Sequence, residues 1–137
     1  MTEPKGRGRH APNSAIRVVL VDDEPDVRTL LHTILDIRKG FEIVGEAGNG
    51  EEAVDVCAAQ APDVVVLDLL MPVMDGAEAL PLIRRAAPNA KVLVLSATRG
   101  SPLWEEAEHG RADAYADKSM AMHGLPALVR GLVGDEA

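Results

Sequence analysis

Aromatic residues are nearly missing. Phe41, Trp104 and Tyr115 are the whole set in 137 residues. Any core must therefore be built from Val, Leu, Ile and Ala. Cysteine is rarer still: Cys57 stands alone, so an internal disulfide is excluded and a reducing, cytoplasmic setting fits. Long apolar runs are absent too. The longest Val/Leu stretches are about six residues, far short of the ~20 that a bilayer crossing needs. The opening Met1–Ala15 has charges but no apolar stretch, which excludes a secretory signal. These absences lead to the expectation that no membrane is involved.

Positive charge is in short supply beyond the start. Residues 1–15 carry Lys5, Arg7, Arg9 and Glu3, for a net of +2, whereas residues 16–137 hold 11 bases and 21 acids, a net of −10. An acidic body repels phosphate backbones, so no nucleic-acid contact is expected of this chain. Residues 1–15, rich in Pro, Gly, Asn and Ser without periodicity, read as a flexible extension. Residues 16–137 read as one domain, long enough to bury a core without a metal or disulfide staple.

What is present is a regular alternation. Ile16–Val21, Asp63–Asp68 and Lys91–Ser96 are nearly continuous in Val and Leu, as in strands covered on both faces. Phe41–Val44 carries a charge and suits an edge. Ala112–Asp117 is a weaker, fraying fifth strand. Helical spacing falls between them: Val27, Leu30, Leu31, Ile34 and Leu35; Ala53, Val54, Cys57 and Ala58; Leu80, Ile83 and Ala87; a helix opened by Ser101-Pro102; and Leu125 to Val133. Strand and helix alternate five times. This predicts an α/β fold, a single doubly wound five-stranded parallel sheet with five helices. Pro81 falls inside the third helix and predicts a late start or a kink there.

In such sheets ligands bind beyond the carboxyl ends of the strands. Here those ends carry Asp22 and Asp23, Asp68, Ser96 and Lys118. Two carboxylates 4 Å apart repel by about 4 kcal/mol at an effective dielectric of 20. A hard divalent cation, Mg²⁺ above all, relieves that repulsion. A lysine and a hydroxyl opposite the cation suit the oxygens of a phosphoryl group, and a carboxylate beside it can act as nucleophile to form an acyl phosphate. Rival readings are plain. Asp22 and Asp23 could cap the first helix, Tyr115 could be a static aromatic, and Asp75 reads as a helix cap. Cys57 reads as core and Trp104 as a helix-surface or interface residue. The four histidines have no zinc-ligand spacing.

Val-Leu-Val-Asp22-Asp23-Glu24-Pro25, Val-Val-Val-Leu-Asp68-Leu-Leu-Met-Pro72-Val-Met-Asp-Gly76, Val-Leu-Val-Leu-Ser96-Ala97 and Tyr115-Ala-Asp-Lys118 resemble the four signatures of bacterial response-regulator receiver domains, the CheY-like fold. The stretch Phe41–Asp68, and Lys118 followed by Ser, are most similar to NarL/LuxR-type receivers. The resemblance spans roughly residues 16–133. It implies a phosphoacceptor switch of a two-component phosphorelay, with self-directed phosphotransfer and dephosphorylation only. Asp68 would accept the phosphoryl group from a sensor histidine kinase or phosphotransfer protein. Asp23, Asp68 and the backbone carbonyl of Leu70 would ligate Mg²⁺, with Asp22 acting through water. Lys118 would pair with Asp68 at rest and with the phosphoryl oxygens later. Ser96 and Tyr115 would relay the change to the face of the fourth helix, fifth strand and last helix. Leu70 and Thr98 flank the pocket where the family tunes water access.

The output partner is then a downstream protein or an output domain of the same regulator, and a homodimer is open. NarL/LuxR-type regulators continue into a helix-turn-helix domain, for which this chain has no residues after its last helix. It reads as a stand-alone receiver or the receiver part of such a regulator. The alternative is a degenerate receiver acting as a phosphorylation-independent interaction module. A haloacid-dehalogenase-like phosphatase would need a second Asp where Leu70 stands, and a flavodoxin-like flavin binder would need a phosphate-cradling loop after the first strand. Three departures fall near the output face: Arg111 where a helix-ending glycine is usual, Gly110 one place early, and Ala116-Asp117 in place of an apolar pair.

Overall fold

The computed structural model describes residues 14–37, 40–97 and 100–134. Most of the expected N-terminal extension, and Thr98, lie outside the described residues. Elements alternate as β1 (Ile16–Val21), α1 (Pro25–Ile37), β2 (Phe41–Ala47), α2 (Gly50–Gln60), β3 (Val64–Leu67), α3 (Gly76–Ala86), β4 (Lys91–Ser96), α4 (Pro102–His109), β5 (Ala114–Asp117) and α5 (Lys118–Leu132). All neighbouring strands run parallel in the order β2-β1-β3-β4-β5.

The period of two along each strand separates two cores. Val19, Val21, Val65, Leu67, Val92 and Val94 pack with Ala53 and Cys57 of α2, Leu80 and Ile83 of α3, and Trp104 and Ala107 of α4. Val18, Leu20, Val64, Val66, Leu93 and Leu95 pack on the other face with Leu31 and Leu35 of α1 and Leu125 and Val129 of α5. Both faces are covered, which is why these strands read as unbroken Val/Leu runs. The edge strand β2 keeps all its residues but Ala47 at least partly exposed, as its charges suggested. It runs three residues further than the sequence pattern did, to Ala47. Its register with β1 slips after Val18, so that Val18 faces Ile43 and Val19 faces Gly45.

Three expectations are corrected. Of the two outcomes that Pro81 predicted, the late start of the helix does not occur. The helix begins at Gly76, fixed by a capping box in which Asp75 accepts from the Glu78 N–H and Glu78 accepts from the Asp75 N–H. Two reciprocal hydrogen bonds at the first turn outweigh the donor that Pro81 removes later. The fifth strand does not fray. It spans only Ala114–Asp117, but all four residues pair with Leu93–Ser96 of β4. Trp104 is not a surface residue: it is 7% exposed and its ring lies 5.6 Å from that of Tyr115.

At the turn after α4 the helix-ending roles shift by one residue. A Cβ on Gly110 would sit 2.8 Å from Leu80 Cδ2, so close α3–α4 packing keeps glycine there in an ordinary helical conformation. The left-handed residue is then Arg111, with φ of 62°. Among the described residues no helix is long and apolar enough to cross a membrane.

Candidate functional site

β1 has β2 on one side and β3 on the other, so the chain leaves β1 and β3 toward opposite faces of the sheet. α1 packs on one face and α3 on the other, which opens a crevice at the carboxyl ends of these two strands. Asp22 and Asp23 follow β1 and Asp68 follows β3. The three carboxylates each bring an oxygen within 4.8 Å of the others. Asp22 and Asp68 are buried, at 1% and 5% exposure, while Asp23 is open to solvent.

Backbone hydrogen bonds set these positions. The Asp22 N–H donates to Ala47 O of β2 at 3.0 Å and the Asp68 N–H to Val21 O of β1 at 3.0 Å. Beyond Asp68 the chain turns back hard. The Gly76 N–H donates to Leu69 O at 2.8 Å, and a Cβ on Gly76 would lie 2.1 Å from the Asp68 carbonyl oxygen. Only glycine permits that approach. Asp22 and Asp23 do not cap α1 with their side chains. The helix starts on the Glu24 carbonyl, which accepts from the Val27 and Arg28 N–H groups, and Asp22 Oδ1 accepts from the Glu24 N–H at 2.9 Å.

Lys118, the first residue of α5, reaches into the same cluster. Its Nζ lies 2.7 Å from Asp22 Oδ2 and 3.4 Å from Asp68 Oδ1. Asp22 Oδ2 is buried and, among the described residues, accepts no regular hydrogen bond; the ammonium lies against it as an ion pair. The lysine is thus shared, and its shorter contact is to Asp22 rather than Asp68. Burial and the Asp22 charge push the Asp68 carboxyl up to about 6, against the opposing pull of Lys118. Burial lowers the Lys118 pKa, but Asp22 and Asp68 more than offset it and hold the ammonium above its usual value. Asp117 precedes Lys118 at the start of α5. It caps α5, accepting from the Ser119 N–H at 2.9 Å and the Ser119 hydroxyl at 2.6 Å.

A cleft of about 300 Å³ opens over the cluster. Asp23, Glu24, Asp68, Leu70, Ser96 and Lys118 line it. Ser96, at the end of β4, is 1% exposed, whereas the Leu70 side chain stands 64% exposed at the rim. Tyr115 is placed apart. Its hydroxyl donates to Ala107 O and accepts from the Ala112 N–H, both at 3.0 Å, which ties β5 to the end of α4. Cys57 is core as expected, its thiol pushed up to about 12 by burial. Asp63 is buried at the opposite end of β3, where it accepts from the Arg17 N–H.

One cluster residue was missed in the sequence. Arg28 donates from Nη1 to the Asp22 carbonyl oxygen and from Nε to Glu46 Oε1 at 3.0 Å. The available signal was a lone cation early in a helix, where the macrodipole disfavours it unless an acid compensates.

The sequence profile of the response regulator receiver domain matches residues 18–130. The chain is 37% identical over 117 residues to the response regulator UvrY of Escherichia coli O6:H1. That alignment covers 85% of this chain and 54% of UvrY, so the chain spans about half the length of this relative. Its fold is similar to the signal receiver domain of NarL from Mycobacterium tuberculosis (TM-score 0.81, 29% identity, 88% of this chain and 98% of that one). It is also similar to a chain of the CheX-CheY-BeF3-Mg complex from Borrelia burgdorferi (TM-score 0.79, 29% identity, 94% and 98%). Sequence and backbone agree over nearly all of the described chain, and the protein belongs to the response regulator receiver domains of two-component systems.

Proposed function

We propose that this chain, with residues 16–137 as its receiver domain, accepts a phosphoryl group on Asp68 from a phosphohistidine of a sensor histidine kinase or phosphotransfer protein. The observation that carries the reading is the meeting of Asp22, Asp23 and Asp68 within 4.8 Å, with the Lys118 ammonium on two of them.

The residues fit a magnesium ion. Three crowded carboxylates, a buried Asp22 oxygen that meets the Lys118 ammonium but accepts no regular hydrogen bond, and a raised Asp68 pKa are the marks of a hard-oxygen site short of positive charge. Asp23, Asp68 and the Leu70 carbonyl would hold the ion, with Asp22 acting through water. When bound, it supplies charge neutralisation for the carboxylates and the incoming phosphoryl oxygens. An Asp68 carboxylate oxygen attacks phosphorus. The new P–O bond forms as the P–N bond to the donor imidazole breaks, and the imidazole leaves with its nitrogen lone pair and takes a proton. Lys118 neutralises phosphoryl oxygens, and the Ser96 hydroxyl donates to one. Hydrolysis returns Asp68: water attacks phosphorus, and inorganic phosphate departs. The chain is a switch that modifies itself, with no other substrate turned over.

The modified state signals through α4, β5 and α5. For Tyr115 to follow Ser96 it must release the Ala107 and Ala112 hydrogen bonds. The phosphoryl group must therefore bind the switched form better than the resting one. The output partner is a protein target or an output domain of the same regulator, in the cytoplasm, where Cys57 remains a thiol. Incubation with acetyl phosphate and Mg²⁺, read by intact mass, tests the reading. Expected is a gain of one phosphoryl group that does not form when a chelator is present from the start, nor in Asp68→Asn. No gain in the presence of Mg²⁺ would make the chain a phosphorylation-independent interaction module.

A further inference from the structure

We propose that Arg28 is a positioning residue for the acid cluster, and that its bridge to Glu46 sets the cluster's affinity for a divalent cation. The inference rests on the phosphoacceptor reading and adds a residue to that site.

Asp22 is gripped from several sides. Its N–H donates to Ala47 O, its Oδ1 accepts from the Glu24 N–H, and its Oδ2 meets Lys118. Its carbonyl oxygen is the remaining handle, and Arg28 Nη1 holds it. The same guanidinium donates through Nε to Glu46, the residue before Ala47 on β2. Glu46 also faces His32, one turn further along α1, with Nδ1 and Oε2 3.6 Å apart. The planar fork thus spans α1, the turn after β1 and the end of β2 in one unit. Two donors of fixed relative geometry fix the turn that presents Asp22 and Asp23; a single ammonium cannot reproduce both. The Arg28 side chain is 20% exposed and that of Glu46 39%, so the bridge to Glu46 faces solvent while the hold on the Asp22 carbonyl is partly buried.

The sign of the effect separates positioning from charge. Arg28 is a cation beside an anionic cluster. If it acted through its charge alone, removing it would tighten cation binding, because the repulsion between Arg28 and the bound ion would vanish. If it positions the ligands, removing it weakens binding despite that relief. Losing groups that orient metal ligands costs about tenfold or more in affinity.

The test is a magnesium chloride titration of the full chain, followed by backbone amide NMR shifts, which also report whether each variant is folded. Arg28→Gln, Arg28→Lys and Glu46→Gln are compared with the wild type. Expected is an affinity about tenfold weaker for both Arg28 variants, with Glu46→Gln weaker in the same direction by a smaller factor. The lysine variant keeps the charge, so its loss reports geometry. Unchanged or tighter binding in a folded Arg28→Lys chain overturns the inference, and this variant decides if Arg28→Gln does not fold. A wild-type chain that shows no Mg²⁺-dependent shifts overturns the phosphoacceptor reading itself, whereas wild-type binding with unaltered variants overturns the positioning role alone.

Discussion

Asp68 is a carboxylate held where its charge is expensive. An unfolded aspartate titrates near 3.9, and in the fold burial and Asp22 push it up to about 6. A raised folded pKa means that ionisation destabilises the folded state. The associated stability is fully present below about pH 4 and is lost as pH rises through about 6. Asp68→Asn cannot ionise. In metal-free buffer at neutral pH it should be more stable than the wild type by about 1–3 kcal/mol, with the gap closing in acid and on addition of Mg²⁺. Urea denaturation across pH checks this, and an Asn variant no more stable at neutral pH contradicts it. At this scale the convergence of Asp22, Asp23, Asp68, Ser96 and Lys118 was legible, because strand ends in a parallel sheet meet at one edge; the first four close or follow apolar runs, and Lys118 follows the weaker fifth strand. Arg28 was not, because the pattern of α1 advertises its buried face, Leu31 and Leu35, and is silent about its polar one. Trp104 was misplaced for a related reason. α4 has only eight residues, and the spacing of Trp104 and Ala107 is too short a stripe to distinguish core from surface.

Among the elements, α3 shows how one local signal overrides another. Pro81 sits in its interior and leaves the Ala77 carbonyl without the donor four residues on. The capping box at Asp75 and Glu78 and the buried face of Ala77, Leu80 and Ile83 hold the helix regardless. The Pro81 side chain is exposed, so it contributes little packing. Pro81→Ala should therefore raise stability by about 1–3 kcal/mol in thermal or urea unfolding, without altering Mg²⁺ binding. A loss of stability would mean that the stiffness of proline in the unfolded chain dominates. The turn at Gly110 and Arg111 and the length of β5 were hard to read because both depend on contacts across elements. Leu80 of α3 dictates the glycine at 110, and the pairing with β4 holds the half-buried residues of β5 in the sheet.

At the scale of the whole fold, the described residues form a parallel sheet with apolar packing on both faces and an acidic notch at its switch point. The fold class was legible because five apolar runs separated by amphipathic stretches admit few other arrangements, and because full burial of β3 and β4 erases the alternation that an open sheet would show. Register was not legible: the slip after Val18, where Val19 faces Gly45 and not Val44, depends on the pairing between two strands and not on the pattern within either one. The layout also explains how one covalent event can reach a distant surface. Lys118 opens α5 and Ser96 closes β4, so on the proposed reading a phosphoryl group held by both would pull on the two elements that flank β5. All of this requires that the bond form on one carboxylate of the three. The most direct measurement is borohydride reduction of the chain after incubation with acetyl phosphate and Mg²⁺, followed by peptide sequencing. Reduction of an aspartyl phosphate leaves homoserine. Homoserine at position 68, absent without Mg²⁺, is expected; homoserine at position 22 or 23, or none at all with Mg²⁺ present, would contradict the assignment of Asp68 as the acceptor.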